Sequence, residues 1–160
     1  MGANHLANRS NWQYGARVVG DAGENTFATK IAEQLPAHYT VEVKPAKLLV
    51  YNDVNGIMLD TKITNTQSGK SLFVEKKTGN NGGNAHERAY KFLSDPLKER
   101  VRELCNTPDN PFFIVFSGKT FQNKKYQDEI ALNLADANYA IMESGFANIA
   151  SVAEQIVEIV

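Results

Sequence analysis

Two carboxylates and an ammonium group stand in the pattern Asp60, fourteen residues, Glu75, one residue, Lys77. The chain around them reads "GIMLDTKI" and "KSLFVEKK", two strand-like segments joined by the turn-rich "TNTQSG". An antiparallel hairpin centred between Gln67 and Ser68 sets Asp60 opposite Glu75, with Cβ atoms roughly 5 Å apart. Lys77 then projects from the same face, while Lys76 points to the other. Like charges facing one another on a sheet are destabilising unless something compensates, and a divalent cation does so. Mg²⁺ takes one or two carboxylates together with waters and phosphate oxygens. It polarises a phosphodiester and lowers the pKa of bound water, which Lys77 can orient or help deprotonate. Glu24 would assist if the helix that carries it packs behind the hairpin. Taken alone, the same triplet also fits a solvated hairpin face with no chemistry at all.

Immediately after the lysines comes "TGNNGGNAHERAYKF". Gly79, Gly82 and Gly83 leave the backbone bare enough to approach a nucleic-acid groove. Asn84 is placed to begin a helix, with Arg88 four residues on, sharing its face near the positive end. Asn pairs bidentately with the N6/N7 edge of adenine, and Arg with acceptors on purine edges. A flexible turn explains the glycines equally well, and His86 reads as an ordinary surface or core histidine. The nearby "SGKS" is no phosphate-binding loop, because Thr64 occupies the required glycine position and the tetrapeptide lies between strands.

Around these motifs the pattern predicts a helix over 21–35 with Asp21 as cap and Glu24 in its first turn. Strands are expected at "YTVEVKP", "KLLVY" and the two hairpin segments. A helical stretch follows over "NAHERAYKFLSD", with Ala85, Ala89, Phe92 and Leu93 inward and Pro96 opening a second helix. "PFFIVFSG" is a strand covered on both faces. "NKKYQDEIALNLADA" is a helix, "YAIME" a short central strand, and "NIASVAEQIVEIV" a terminal amphipathic helix. Strands cluster early and alternate with helices late, so the fold class is α/β around a central mixed sheet flanked by helices. The 160 residues are read as a single catalytic and DNA-binding domain.

Composition narrows the class without choosing a function. The chain is 42% hydrophobic and 22% charged with net charge −1, so a basic patch must be local if nucleic acid is the partner. The single Cys105 permits no internal disulfide and no zinc cluster. With no membrane span and no signal-peptide region expected, a cytoplasmic location fits.

The Asp60–Glu75–Lys77 spacing followed by "GGNAHERAYKF" closely resembles the type II restriction endonucleases of the EcoRI and MunI group, nearest its MunI branch. There a PD-x(n)-E-x-K active site precedes a "GNA-x-ER" recognition segment. "RSNWQYGARVVGDAGEN" is similar to the start of that branch. The resemblance runs from near residue 9 to the strand at 111–118. It implies the PD-(D/E)xK restriction-endonuclease-like fold, a homodimer, Mg²⁺-dependent cleavage of double-stranded DNA at a palindrome with an AATT core, 5′-AATT ends, and a host methyltransferase guarding the same site. Asp60, Glu75 and Lys77 match the catalytic positions, and Asn84, Ala85 and Arg88 those that read the inner A·T pairs. Leu59 replaces the motif's proline, which supplies no ligand. Gly82 stands where the MunI branch carries an Arg that reads the outer pair, which points to AATT alone as the site. A six-base site containing AATT, a structure-selective nuclease of the same fold, and a binding protein without catalysis are the alternatives. Lys119, Lys124, Lys125, Arg9 and Arg17 are candidate phosphate contacts.

Overall fold

The computed structural model describes residues 15–20 and 25–160, so Arg9, Glu24, Asp21 and the Asn-Trp-Gln stretch lie outside the described residues. A six-stranded mixed sheet runs in sequence order through β1 (Arg17–Gly20), β2 (Tyr39–Val43), β3 (Thr61–Asn65), β4 (Ser71–Thr78), β5 (Phe112–Ser117) and β6 (Tyr139–Ile141). The pairs β1–β2, β4–β5 and β5–β6 are parallel, and β2–β3 and β3–β4 antiparallel.

The hairpin of β3 and β4 has the register its sequence implies. Thr61 pairs with Val74 and Ile63 with Leu72, which centres the turn between Gln67 and Ser68. Asn65 organises that turn, its side-chain oxygen accepting from the Gln67 and Ser68 amides at 2.9 and 3.3 Å. "SGKS" therefore sits in a turn.

Each face of the sheet carries its own core. On one, Val41, Ile63, Val74, Phe113 and Val115 meet helix α1 (Thr26–Gln34) and the terminal α4 (Ile149–Ile159) through Phe27, Ile31, Val152 and Ile156. On the other, Phe73, Phe112, Ile114 and Phe116 meet α2 (Asp95–Leu104) and α3 (Lys124–Asn133) through Val101 and Ile130. Strand β5 feeds both cores alternately, which is why it reads as an unbroken apolar run. Asn25, Ser94 and Asn123 cap α1, α2 and α3 with side-chain oxygens. Pro96 lies in the first turn of α2, as expected.

Three expectations are corrected. The stretch after the glycine loop is not an α-helix from Asn84. It passes through turns and a 3₁₀ segment at Glu87–Leu93, still burying Ala85, Ala89 and Phe92, because tertiary fastenings described below override propensity. "KLLVY" forms only the isolated bridge Leu48–Ile57, with Asn52 holding the tip by accepting from Val54 and Asn55. "YAIME" supplies an edge strand, not a central one. Strand β1 carries too short an alternation to be anticipated. No helix among the described residues is long and apolar enough to cross a membrane.

Candidate active site

Strand β4 carries Glu75 and Lys77 on the face that also holds Phe73, and the register brings Asp60, one residue before β3, opposite Glu75. Two backbone contacts hold Asp60 in place. Its carbonyl accepts from the Lys44 amide at 2.9 Å, and its Oδ2 accepts from the Lys76 amide at 2.8 Å. Lys77 Nζ lies 3.3 Å from Glu75 Oε2. The three side chains thus converge.

The electrostatics of the cluster are unbalanced. Burial pushes the Glu75 carboxyl up from its ordinary 4.5 to about 7. The Asp60 carboxyl beside it adds to the rise through its proximity and charge, and Lys77 opposes it. Glu75 Oε1 is buried with no hydrogen-bond partner. One ammonium facing two carboxylates, one of them with an unsatisfied oxygen, is a donor set a hard divalent cation completes. Among the described residues no cluster of three metal-ligating side chains exists; Mg²⁺ sites commonly use one or two carboxylates, with water and substrate oxygens in the other positions.

The glycine loop leaves β4 directly beside this cluster. The Gly79 amide donates to the Ser117 carbonyl at 3.0 Å, and a Cβ at Gly118 would lie 2.3 Å from the Gly79 oxygen, so the two loops pack backbone against backbone. Beyond it Asn84 and Arg88 are exposed and, among the described residues, neither side chain has a hydrogen-bond partner. Ala85 is different, its methyl being turned into the core at 6% exposure. Gly82 and Gly83 both adopt positive φ, +77° and +95°. A Cβ at Gly82 would come within 3.0 Å of the Tyr126 hydroxyl.

Lys119, Lys124 and Lys125 are exposed near the same end of the sheet, where Lys124 pairs with Asp128 at 2.9 Å. Arg17 is placed elsewhere, on the edge strand β1, separated from β4 by β2 and β3. Sequence reasoning missed Lys44, at the end of β2 with φ +51°; it lines a cleft of about 230 Å³ together with Asp60 and Lys76. It also missed Thr120, Tyr126 and Glu129, which hold the loop from a segment forty residues away. No local pattern announces such contacts.

The family model of the type II restriction enzyme MunI matches residues 1–145. Among solved structures, the chain is similar to the MunI restriction endonuclease in complex with cognate DNA, with a TM-score of 0.66 at 20% identity. That match covers 98% of this chain and 93% of the other. No curated protein matches.

Proposed function

We propose, from the premise that the chain belongs to the type II restriction enzyme MunI family, that it cleaves double-stranded DNA at the tetranucleotide AATT with Mg²⁺. As a member of that family it is a type II restriction endonuclease, a site-specific deoxyribonuclease. The observation that carries the finer reading is the continuity of β4. The strand that presents Glu75 and Lys77 runs without interruption into the loop that exposes Asn84 and Arg88. Chemistry and readout then move as one body.

In this reading Asp60 and Glu75 would hold the cation, and when bound it would supply charge for the phosphodiester and lower the pKa of a water. Lys77, held beside Glu75 at 3.3 Å, would orient or help deprotonate that water and offset charge developing on the phosphate. Asn84 and Arg88 contact the inner A·T pairs from the major groove, with Ala85 seating their backbone from the core side. Lys119 and Lys124 position the duplex through phosphates. One domain carries both tasks, and two copies related by a two-fold axis read the two halves of the palindrome. Cleavage before the first A leaves 5′-AATT ends.

Gly82 supports the four-base site. Positive φ and the neighbouring Tyr126 hydroxyl disfavour any side chain there, so no group from this position reaches the flanking pair. Digestion of duplexes carrying AATT in every flanking context, with Mg²⁺, tests the reading. Comparable cleavage of all contexts is expected. Cleavage of one flanking pair alone would establish a six-base site, and cutting of branched DNA regardless of sequence would replace the reading by a structure-selective nuclease.

A further inference from the structure

The recognition segment is fastened along its length to the chain that follows β5. Thr120 donates its amide to the Gly79 carbonyl at 2.9 Å and accepts the Gly82 amide on its hydroxyl at 2.8 Å. The last fastening is polar and deeper. His86 Nε2 lies 2.8 Å from Glu129 Oε2 on α3. The imidazole is 2% exposed and enclosed edge-on by Tyr90, Phe121 and Tyr126 at centroid distances of 6.4, 6.1 and 5.6 Å. Its Nδ1 is buried without a partner.

An apolar side chain would fill this aromatic box without leaving a polar atom unsatisfied, a cost a buried imidazole must bear. What the imidazole adds is direction. Its contact with Glu129 fixes the rotation of the segment at one point, midway between Asn84 and Arg88. Both of those side chains point outward with no described partner to orient them, so the backbone alone sets their aim.

We propose that His86 is a positioning residue for sequence readout, acting through Glu129 to hold the 84–88 segment at the pitch its base contacts need. The inference rests on the reading of Asn84 and Arg88 as base contacts. Directed hydrogen bonds to base edges weaken steeply with misalignment, whereas phosphate contacts depend chiefly on charge. Loss of the latch therefore removes discrimination before it removes affinity.

The test compares binding, without Mg²⁺, to a duplex bearing AATT and to one with a central pair exchanged, across a salt series. His86→Ala and Glu129→Ala should each lower the ratio of the two affinities by about tenfold, with the salt dependence unchanged. His86→Gln places an amide nitrogen near the Nε2 position and should recover most of the ratio, which a purely space-filling role would not require. Glu129 is partly exposed, so Glu129→Ala tests the latch even if His86→Ala fails to fold. An unaltered ratio in folded Glu129→Ala, or equal loss on both duplexes, overturns the proposal. Arg88→Ala run in parallel separates the two levels. If it lowers the ratio while the latch variants do not, positioning by His86 fails alone; if it leaves the ratio unchanged, the base-contact reading falls and takes this inference with it.

Discussion

Lys77 Nζ lies 3.3 Å from Glu75 Oε2, while the other oxygen of that carboxylate is buried without a partner. The ion pair therefore satisfies half of Glu75, and the free protein holds an acidic group whose charge its surroundings disfavour. With the folded carboxyl at about 7 against an ordinary 4.5, the protonated form is favoured by folding. The stabilising contribution is fully present below about pH 4.5 and is lost as pH rises through 7.

Glu75→Gln removes the charge and keeps the shape. Without divalent metal, the variant should be more stable than the wild type by about 3 kcal/mol at pH 8, or roughly 6–12 °C in Tm. Near pH 4.5 the two should melt together. Cleavage should be abolished, and binding of an AATT duplex preserved or tightened because a repelling carboxylate is gone. Scanning calorimetry at the two pH values checks the stability claim, and a Glu75→Gln midpoint at or below wild type at pH 8 would sink it.

Metal affinity should follow the same titration. A cation at Asp60 and Glu75 competes with the proton on Glu75, so apparent Mg²⁺ affinity should rise with pH and level off above about 7. Well below that value each pH unit should weaken binding by close to tenfold. Isothermal titration of the DNA-free protein between pH 5.5 and pH 8.5, values chosen to bracket about 7, reads this directly. A flat profile removes Glu75 from the ligand set.

How much of this was legible in the sequence depends on whether the determinants are local. The hairpin was, because strand period and turn chemistry fix register within a few residues. Asp60 opposite Glu75 is a counting result that the pairing Thr61–Val74 reproduces. The start of α2 was legible where Pro96 marks it; the Ser94 cap was not anticipated. The 3₁₀ geometry of Glu87–Leu93 was not legible, since Ala, Glu, Arg and Lys there suit an α-helix, while the stretch just before it is tied at Gly82 and His86 to the distant Thr120 and Glu129. Nor was the burial of Ala85, because a small residue in a recognition motif gives no sign of which way it faces. His86 was read as bland from its type alone. Its partner on α3 lies forty-three residues away, and its significance is visible only in three dimensions.

Readout and phosphate contact should separate under mutation. Arg88→Ala should cost about 1–3 kcal/mol on AATT and much less on a scrambled duplex, because a directed base contact is lost. Lys119 is exposed, and its ammonium has no hydrogen-bond or ion-pair partner among the described residues, its backbone amide alone donating to Asn80 Oδ1. Lys119→Ala should weaken both duplexes alike and reduce the salt slope by about one. Fluorescence anisotropy over a salt series distinguishes the two patterns. Identical behaviour of the two variants would merge their assigned roles.

Gly82 makes the sharpest claim about specificity. Its φ of +77° belongs to the left-handed region, its amide is committed to Thr120 Oγ1 at 2.8 Å, and the Tyr126 hydroxyl stands 3.0 Å from where a Cβ would be. A residue with a side chain must adopt that φ at about 1–2 kcal/mol or break the contact that holds the loop. Gly82→Arg should therefore not acquire a preference for one flanking pair. It should melt several degrees lower and cut AATT in all contexts more slowly, with rates still similar to one another. Tyr126→Phe added to it removes the hydroxyl but not the backbone constraint, so the double variant should behave as the single one does. Competition cleavage of AATT duplexes differing in the flanking pair measures this. If Gly82→Arg melts like the wild type and selects one context, the backbone is not what keeps the outer pair unread.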